Sequence, residues 1–121
     1  MAKRILLVDD EQAIVDLLGA MLRKNGYEVI TALSGKSCLA KAREANPDLI
    51  ILDVLMPELD GFEVCRMLKE DPDTKKIPVI MLTALLKEED LAKGLHEGAA
   101  CFISKPFSIV DVLDEIKSVL A

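Results

Sequence analysis

Several residue classes that mark particular functions are scarce in this sequence of 121 residues. Acidic side chains outnumber basic ones and give a formal net charge of -6. A protein that binds a phosphate backbone normally carries a basic stripe, so we expect no direct contact with nucleic acid. There is one histidine, His96, and the three cysteines form no Cys-x-x-Cys pair. The sequence therefore offers no cluster of the kind that binds zinc.

Long apolar segments are also absent. No uninterrupted apolar run reaches the roughly 18 residues of a membrane span, and residues 1–4 lead directly into a strand-like run without the pattern of a signal peptide. These absences predict no membrane association and a cytoplasmic location. In a reducing compartment, Cys38, Cys65 and Cys101 are expected to be free thiols packed in the core, and His96 to be an exposed helix residue.

The apolar residues that are present, 51% of the chain, alternate between runs of strand length and stretches with helical spacing. The pattern predicts strands over 4–8, 28–32, 49–52, 79–82 and 100–104, and helices over 12–25, 36–45, 61–69 and 88–97, with a last helix opening at Ser108. Strands without polar alternation are covered on both faces, as in a parallel sheet. Five such βα units predict one α/β domain over residues 1–121, built on a doubly wound five-stranded parallel sheet.

Polar residues stand at the carboxyl ends of four of these strands. Asp9 and Asp10 follow the first strand, and Asp53, Thr83 and Lys105 follow the third, fourth and fifth. In doubly wound sheets ligands bind at this edge. Each pair of carboxylates about 4 Å apart costs roughly 1 kcal/mol in water and about 4 kcal/mol at an effective dielectric near 20. One lysine cannot neutralise three carboxylates, so the pattern predicts a Mg²⁺ site.

This set of groups has a chemical interpretation and a structural one. A carboxylate beside Mg²⁺, a lysine and a hydroxyl can attack phosphorus and form an aspartyl phosphate. Taken singly, Asp9 or Asp10 could cap the first helix, Lys105 could be a surface lysine, and Thr83 a residue with high β propensity. Complementary polar groups at four strand ends favour phosphoryl transfer.

The motifs at these strand ends resemble, in order and spacing, those of the response-regulator receiver domain. They are Val8-Asp9-Asp10, the run from Asp53 through Met56-Pro57 to Asp60-Gly61, Thr83-Ala84 and Lys105-Pro106-Phe107. The resemblance covers the whole chain and implies a flavodoxin-like (βα)5 fold with strand order 2-1-3-4-5. It also implies a cis bond between Lys105 and Pro106.

The resemblance assigns a role to each residue of the predicted site. Asp53 would accept a phosphoryl group from a sensor histidine kinase or a histidine phosphotransfer protein. Asp10, Asp53 and the backbone carbonyl of Leu55 would bind Mg²⁺ directly, and Asp9 through a water. Thr83 and Lys105 would contact the phosphoryl oxygens. Such a domain is not an enzyme acting on a separate substrate, since it catalyses only its own phosphorylation and dephosphorylation.

The resemblance also predicts how the signal leaves the site. Phe102 matches the aromatic switch position, and Thr83 would be drawn toward the phosphoryl group. We interpret helix four as the loose element that these residues bias, because Gly94 in its interior costs about 1 kcal/mol relative to alanine. Helix four, strand five and helix five would face a downstream output protein or domain, or a second copy in a phosphorylation-dependent homodimer.

Two other functions compete with a phosphorylation switch. A Mg²⁺-dependent phosphatase with an Asp-x-Asp nucleophile is the first alternative, but Leu55 stands where its second aspartate would be. A flavin-binding module would need a Ser/Thr/Gly-rich loop after strand one, where Asp9, Asp10 and Glu11 stand instead.

The resemblance also places Leu55 and Leu85 beside the path of the hydrolytic water, and as apolar residues they predict slow loss of the phosphoryl group.

Overall fold

A computed structural model describes residues 2–84 and 87–121, and within these ranges strands and helices alternate as the sequence predicts. The elements are β1 (Arg4–Val8), α1 (Gln12–Lys24), β2 (Glu28–Ala32), α2 (Gly35–Ala45), β3 (Leu49–Asp53), α3 (Gly61–Glu70), β4 (Val79–Thr83), α4 (Glu88–His96), β5 (Cys101–Ser104) and α5 (Ile109–Leu120). Where a predicted bound differs from these, it differs by one residue. β3 and β4 each extend one residue further, so that Asp53 and Thr83 are the last residues of their strands.

The five strands form one parallel sheet in the order β2-β1-β3-β4-β5, which confirms the predicted fold class and strand order. Strand order reverses between β1 and β3. At that point the connections that follow the two strands lead to opposite faces of the sheet, which leaves a crevice at their carboxyl ends. The expected binding edge therefore lies beyond Val8 and Asp53.

Both faces of the sheet are covered, which explains the uninterrupted apolar runs of its central strands. Ile5 and Leu7 of β1 belong to a core cluster with residues of α1 and α5. Leu6 and Val8, which point the other way, belong to a second cluster with residues of α2 and α3. The central strands β1, β3 and β4 are thus held rigidly from two sides, and their ends are fixed relative to one another.

Several smaller predictions can also be checked. Cys38 and Cys65 are buried free thiols as expected, whereas the free thiol of Cys101 is only partly buried. His96 is exposed. At the start of α5, Ser108 Oγ accepts a hydrogen bond from the backbone N–H of Asp111. Among the described residues no helix is long and apolar enough to cross a membrane.

Candidate functional site

The strand ends bring the predicted site residues to one edge of the sheet. Asp9 directly follows β1, while Asp53 and Thr83 end β3 and β4 and Lys105 follows β5. Because β1, β3, β4 and β5 are consecutive in the sheet, these side chains share one crevice. The backbone N–H of Lys105 donates to the carbonyl of Thr83 at 2.9 Å, which joins the ends of β4 and β5.

Three carboxylates form the acidic part of the site. One oxygen from each of Asp9, Asp10 and Asp53 lies within 4.8 Å of the others. Their environments differ: Asp9 is fully buried, Asp53 is 3% exposed, and Asp10 is open to solvent. The Asp9 carboxylate also accepts a hydrogen bond from the backbone N–H of Glu11 at 2.9 Å. Glu11 is the N-cap of α1 and makes no side-chain cap, so capping does not explain why the acids gather here.

Lys105 provides the positive charge of the site. Its ammonium lies 2.8 Å from Asp9 Oδ2, 3.3 Å from Asp53 Oδ1 and 3.9 Å from Glu11 Oε1. Burial alone would lower the pKa of Lys105, but the hydrogen bond to Asp9 and the charge of Asp53 outweigh burial and leave its pKa above the ordinary value. The lysine therefore stays charged, with one ammonium shared among several carboxylates.

The pKa of Asp53 reflects its burial beside other negative charges. Burial, followed by the negative charge of Asp9, raises the pKa of Asp53 from 3.8 to about 6, and Asp10 adds to the rise. Lys105 acts in the opposite direction but does not cancel these effects. Without a further cation, ionised Asp53 is thus held in an unfavourable environment.

The donor set fits a hard divalent cation. Closely spaced carboxylate oxygens, one of them solvent-facing, match the preference of Mg²⁺ for oxygen ligands and retained waters. In the part of the chain that the structure describes, this is the group of acids close enough to hold a metal ion. Burial and the charge of Asp9 raise the pKa of Asp53, and a bound cation would favour its ionised form.

The remaining predicted residues differ in their environments. Thr83 is buried. Leu55 is 56% exposed, so its side chain reaches solvent just beyond Asp53. The Lys105–Pro106 bond is cis, as the resemblance implied. Phe102 is half-buried and packs against the core on the α2 and α3 side of the sheet. Leu85 lies outside the described residues.

One feature of the site was not predicted from the sequence, namely the tight return of the chain from β3 into α3. The Gly61 N–H donates to the carbonyl of Val54 at 2.8 Å. A Cβ atom on Gly61 would lie 2.4 Å from the carbonyl oxygen of Asp53, so only glycine fits. Asp60 and Glu63 form a reciprocal capping box at this helix start. The spacing of an acid followed three residues later by Glu could have revealed this cap.

The chain is similar to known proteins in both sequence and structure. The model of the response regulator receiver domain family matches residues 5–117. Response regulator PleD of Caulobacter vibrioides is 48% identical over 118 residues, which cover 98% of this chain and 26% of PleD. The alkaline phosphatase synthesis transcriptional regulatory protein PhoP of Bacillus subtilis is 47% identical over 120 residues, which cover 99% of this chain and 49% of PhoP.

Among solved structures, the chemotaxis response regulator CheY4 of Vibrio cholerae aligns with a TM-score of 0.94 at 36% identity, over 99% of this chain and all of CheY4. The chain thus spans half or less of the length of the two curated relatives, but all of this structural relative.

Proposed function

The chain belongs to the response regulator receiver domain family, and from that membership we propose that residues 1–121 form a phosphoacceptor module whose acceptor is Asp53. The observation that carries the assignment is the position of Asp53. It ends the central strand β3, lies 3.3 Å from the Lys105 ammonium, and shares the crevice with Asp9 and Asp10. The other two acids follow β1, on one side of Asp53, and the buried residue Thr83 ends β4 on its other side.

The proposed reaction is a transfer of one phosphoryl group. A carboxylate oxygen of Asp53 attacks phosphorus, and the bond from phosphorus to the donor's leaving group breaks, with its electron pair departing on that group. Lys105 and the hydroxyl of Thr83 would contact the oxygens of the transferred group and stabilise their charge in the transition state. Asp53 must be ionised to attack, which its raised pKa opposes in the absence of added positive charge.

Mg²⁺ is the cation that we assign to this site. Asp10, Asp53 and the backbone carbonyl of Leu55 would bind it directly, and Asp9 through a water. When bound, Mg²⁺ supplies the positive charge that favours ionised Asp53 and neutralises phosphoryl oxygens. Asp9 is fully buried beside Lys105, a position that suits an acid that orients neighbouring groups without itself facing solvent.

We assign the readout to Thr83 and Phe102. A phosphoryl group adds about -1.5 to -2 charges at one point. Thr83 would move toward it, and Phe102 would turn into the space left behind. The α4–β5–α5 face would then present a changed surface to an output protein or domain, or to a second copy. The phosphoryl donor would be a sensor histidine kinase or a histidine phosphotransfer protein.

In this proposal the chain is a signalling switch that catalyses only its own phosphorylation and dephosphorylation. The phosphatase alternative lacks support, since Leu55 occupies the position of the second motif aspartate and is largely exposed. The cytoplasmic location stays a prediction from the sequence.

The assignment can be tested with acetyl phosphate and Mg²⁺. We expect one acyl phosphate, trapped by borohydride reduction and mapped by mass spectrometry to Asp53, and no labelling of Asp53→Ala. Asp114→Ala, which removes an exposed carboxylate of α5, is the matched control and should be labelled like the native protein. Full labelling of Asp53→Ala would rule out Asp53 as the acceptor.

A further inference from the structure

Helix α4 approaches the ring of Phe102 on β5 at a glycine, Gly94. The structure describes all nine residues of α4, and Gly94 is the one that is buried. A Cβ atom on Gly94 would lie 2.2 Å from Cζ of Phe102, and 3.0 and 3.1 Å from its two Cε atoms. Carbon atoms in contact prefer about 3.5–4.0 Å. The tip of the aromatic ring therefore points at the glycine, and any larger residue would displace the ring or the helix by about 1.5 Å.

The other contacts of α4 lead to a different element. The Lys93 ammonium lies 4.8 Å from the centre of the Phe62 ring, and the Cys65 thiol donates to the carbonyl of Glu97 at 3.3 Å. Phe62 and Cys65 both belong to α3. These contacts fasten α4 to α3, whereas the contact between Gly94 and Phe102 fastens it to β5.

Gly35 and Gly61, at the first positions of α2 and α3, fit as closely as Gly94, but a glycine inside a helix of this protein need not do so. Gly19, also buried within α1, has its nearest side-chain atom at 3.5 Å from a Cβ position, which is ordinary contact. An alanine fits at position 19 but not at position 94. Gly94 therefore does more than weaken the helix, because it also makes room for the ring.

We propose that Gly94 is a positioning residue that couples α4 to the ring of Phe102, so that ring and helix change position together. The proposal rests on the proposed function for its trigger, the phosphoryl group at Asp53. Phe102 is half-buried on the edge strand β5, so its ring can leave the glycine without crossing another strand. Once the ring turns away, α4 loses its buried contact with β5 and shifts toward or away from the sheet.

Stability measurements on four variants test the steric part of this proposal. Gly94→Ala should lower the melting temperature by at least about 3–6 °C. The matched control Gly19→Ala should leave it unchanged or raise it. Phe102→Leu removes the three ring atoms that the new Cβ would meet while keeping an apolar side chain, so Gly94→Ala should be tolerated in that background as well as Gly19→Ala is in the native protein.

Each outcome of the cycle decides for or against the coupling. Rescue of Gly94→Ala by Phe102→Leu supports it, including the case in which Gly94→Ala alone does not fold. An equal loss with and without the ring, a double variant that fails to fold, or no loss from Gly94→Ala in the native background would each overturn it.

A spectroscopic measurement separates this proposal from the proposed function. Native protein with ¹⁹F-labelled phenylalanine is compared before and after addition of beryllofluoride and Mg²⁺, together with amide exchange of α4. We expect the Phe102 resonance and α4 exchange to change together in the native protein. In Gly94→Ala the resonance should already be displaced before addition, and the further response of α4 should be lost. A native protein that fails to respond contradicts the proposed function, while the stability cycle still decides the role of Gly94.

Discussion

The raised pKa of Asp53 predicts that neutralising this side chain stabilises the metal-free protein at neutral pH. The carboxyl has an ordinary pKa of 3.8 and a pKa of about 6 in the fold, mainly because of burial and the nearby Asp9 charge. Between these values the folded state binds more protons than the unfolded state, so the stability of native protein falls as pH rises from about 4 to about 6. At 1.36 kcal/mol per pKa unit, the full loss is about 3 kcal/mol.

Asp53→Asn removes the ionisable group and keeps its shape. Without metal, the variant should be more stable than the native protein by about 3 kcal/mol at pH 8 and by only about 0.5 kcal/mol at pH 4, where the folded carboxyl is already protonated. With urea the first difference corresponds to a midpoint shift of about 1–3 M. Urea unfolding in EDTA at the two pH values measures both gains.

A control separates the site from general loss of acidic charge. Asp114→Asn removes an exposed carboxylate of α5 and should change stability by less than about 0.5 kcal/mol at either pH. If Asp53→Asn gains nothing at pH 8, or gains equally at pH 4, then burial and the charge of Asp9 do not disfavour ionised Asp53 as inferred.

Three further outcomes are expected. Millimolar Mg²⁺ should stabilise native protein by about 2.7 kcal/mol at 100 times its Kd and so raise its melting temperature, with a smaller gain in Asp10→Asn. No gain in native protein contradicts a metal site. Lys105→Ala should destabilise metal-free protein by about 3–5 kcal/mol, because buried carboxylates lose their partner, and Mg²⁺ should restore part of the loss. A change in the free energy of unfolding below about 1 kcal/mol, measured by chemical denaturation, contradicts this prediction. Leu55→Asn should shorten the lifetime of the aspartyl phosphate, because its amide can orient a water molecule. The control Leu17→Asn, at a similarly exposed leucine of α1, should leave the lifetime unchanged. Timed phosphate-release assays compare them, and equal decay in Leu55→Asn and native protein would mean that another step limits hydrolysis.

Much of the fold could be predicted because local patterns and global architecture agree. Uninterrupted apolar runs such as 49–52 predict strands covered on both faces, and the intervening helical spacing predicts crossover helices. Strand order does not follow from those patterns, since it depends on pairing between distant segments; here it came from resemblance and was confirmed.

The site was predictable in its residue types but not in its environments. Asp9 and Asp10 are neighbours with the same side chain, yet one is fully buried and the other faces solvent. Burial depends on how β1 ends against β3, which sequence spacing does not report. For the same reason Gly94 could be recognised as unusual in a helix, whereas its contact with Phe102 depends on how α4 lies against β5.

The sparse burial of α4 has a consequence for how such proteins diverge. Because Gly94 is the one buried residue of this helix, with Asp90 and Leu91 partly buried, most substitutions at its exposed positions cost the fold little. Duplicated copies of this gene could therefore change the outward side chains of α4 almost independently of stability, and acquire different recognition partners while keeping one phosphorylation chemistry. The same sparse attachment would let paralogous pathways in one cell become insulated from each other.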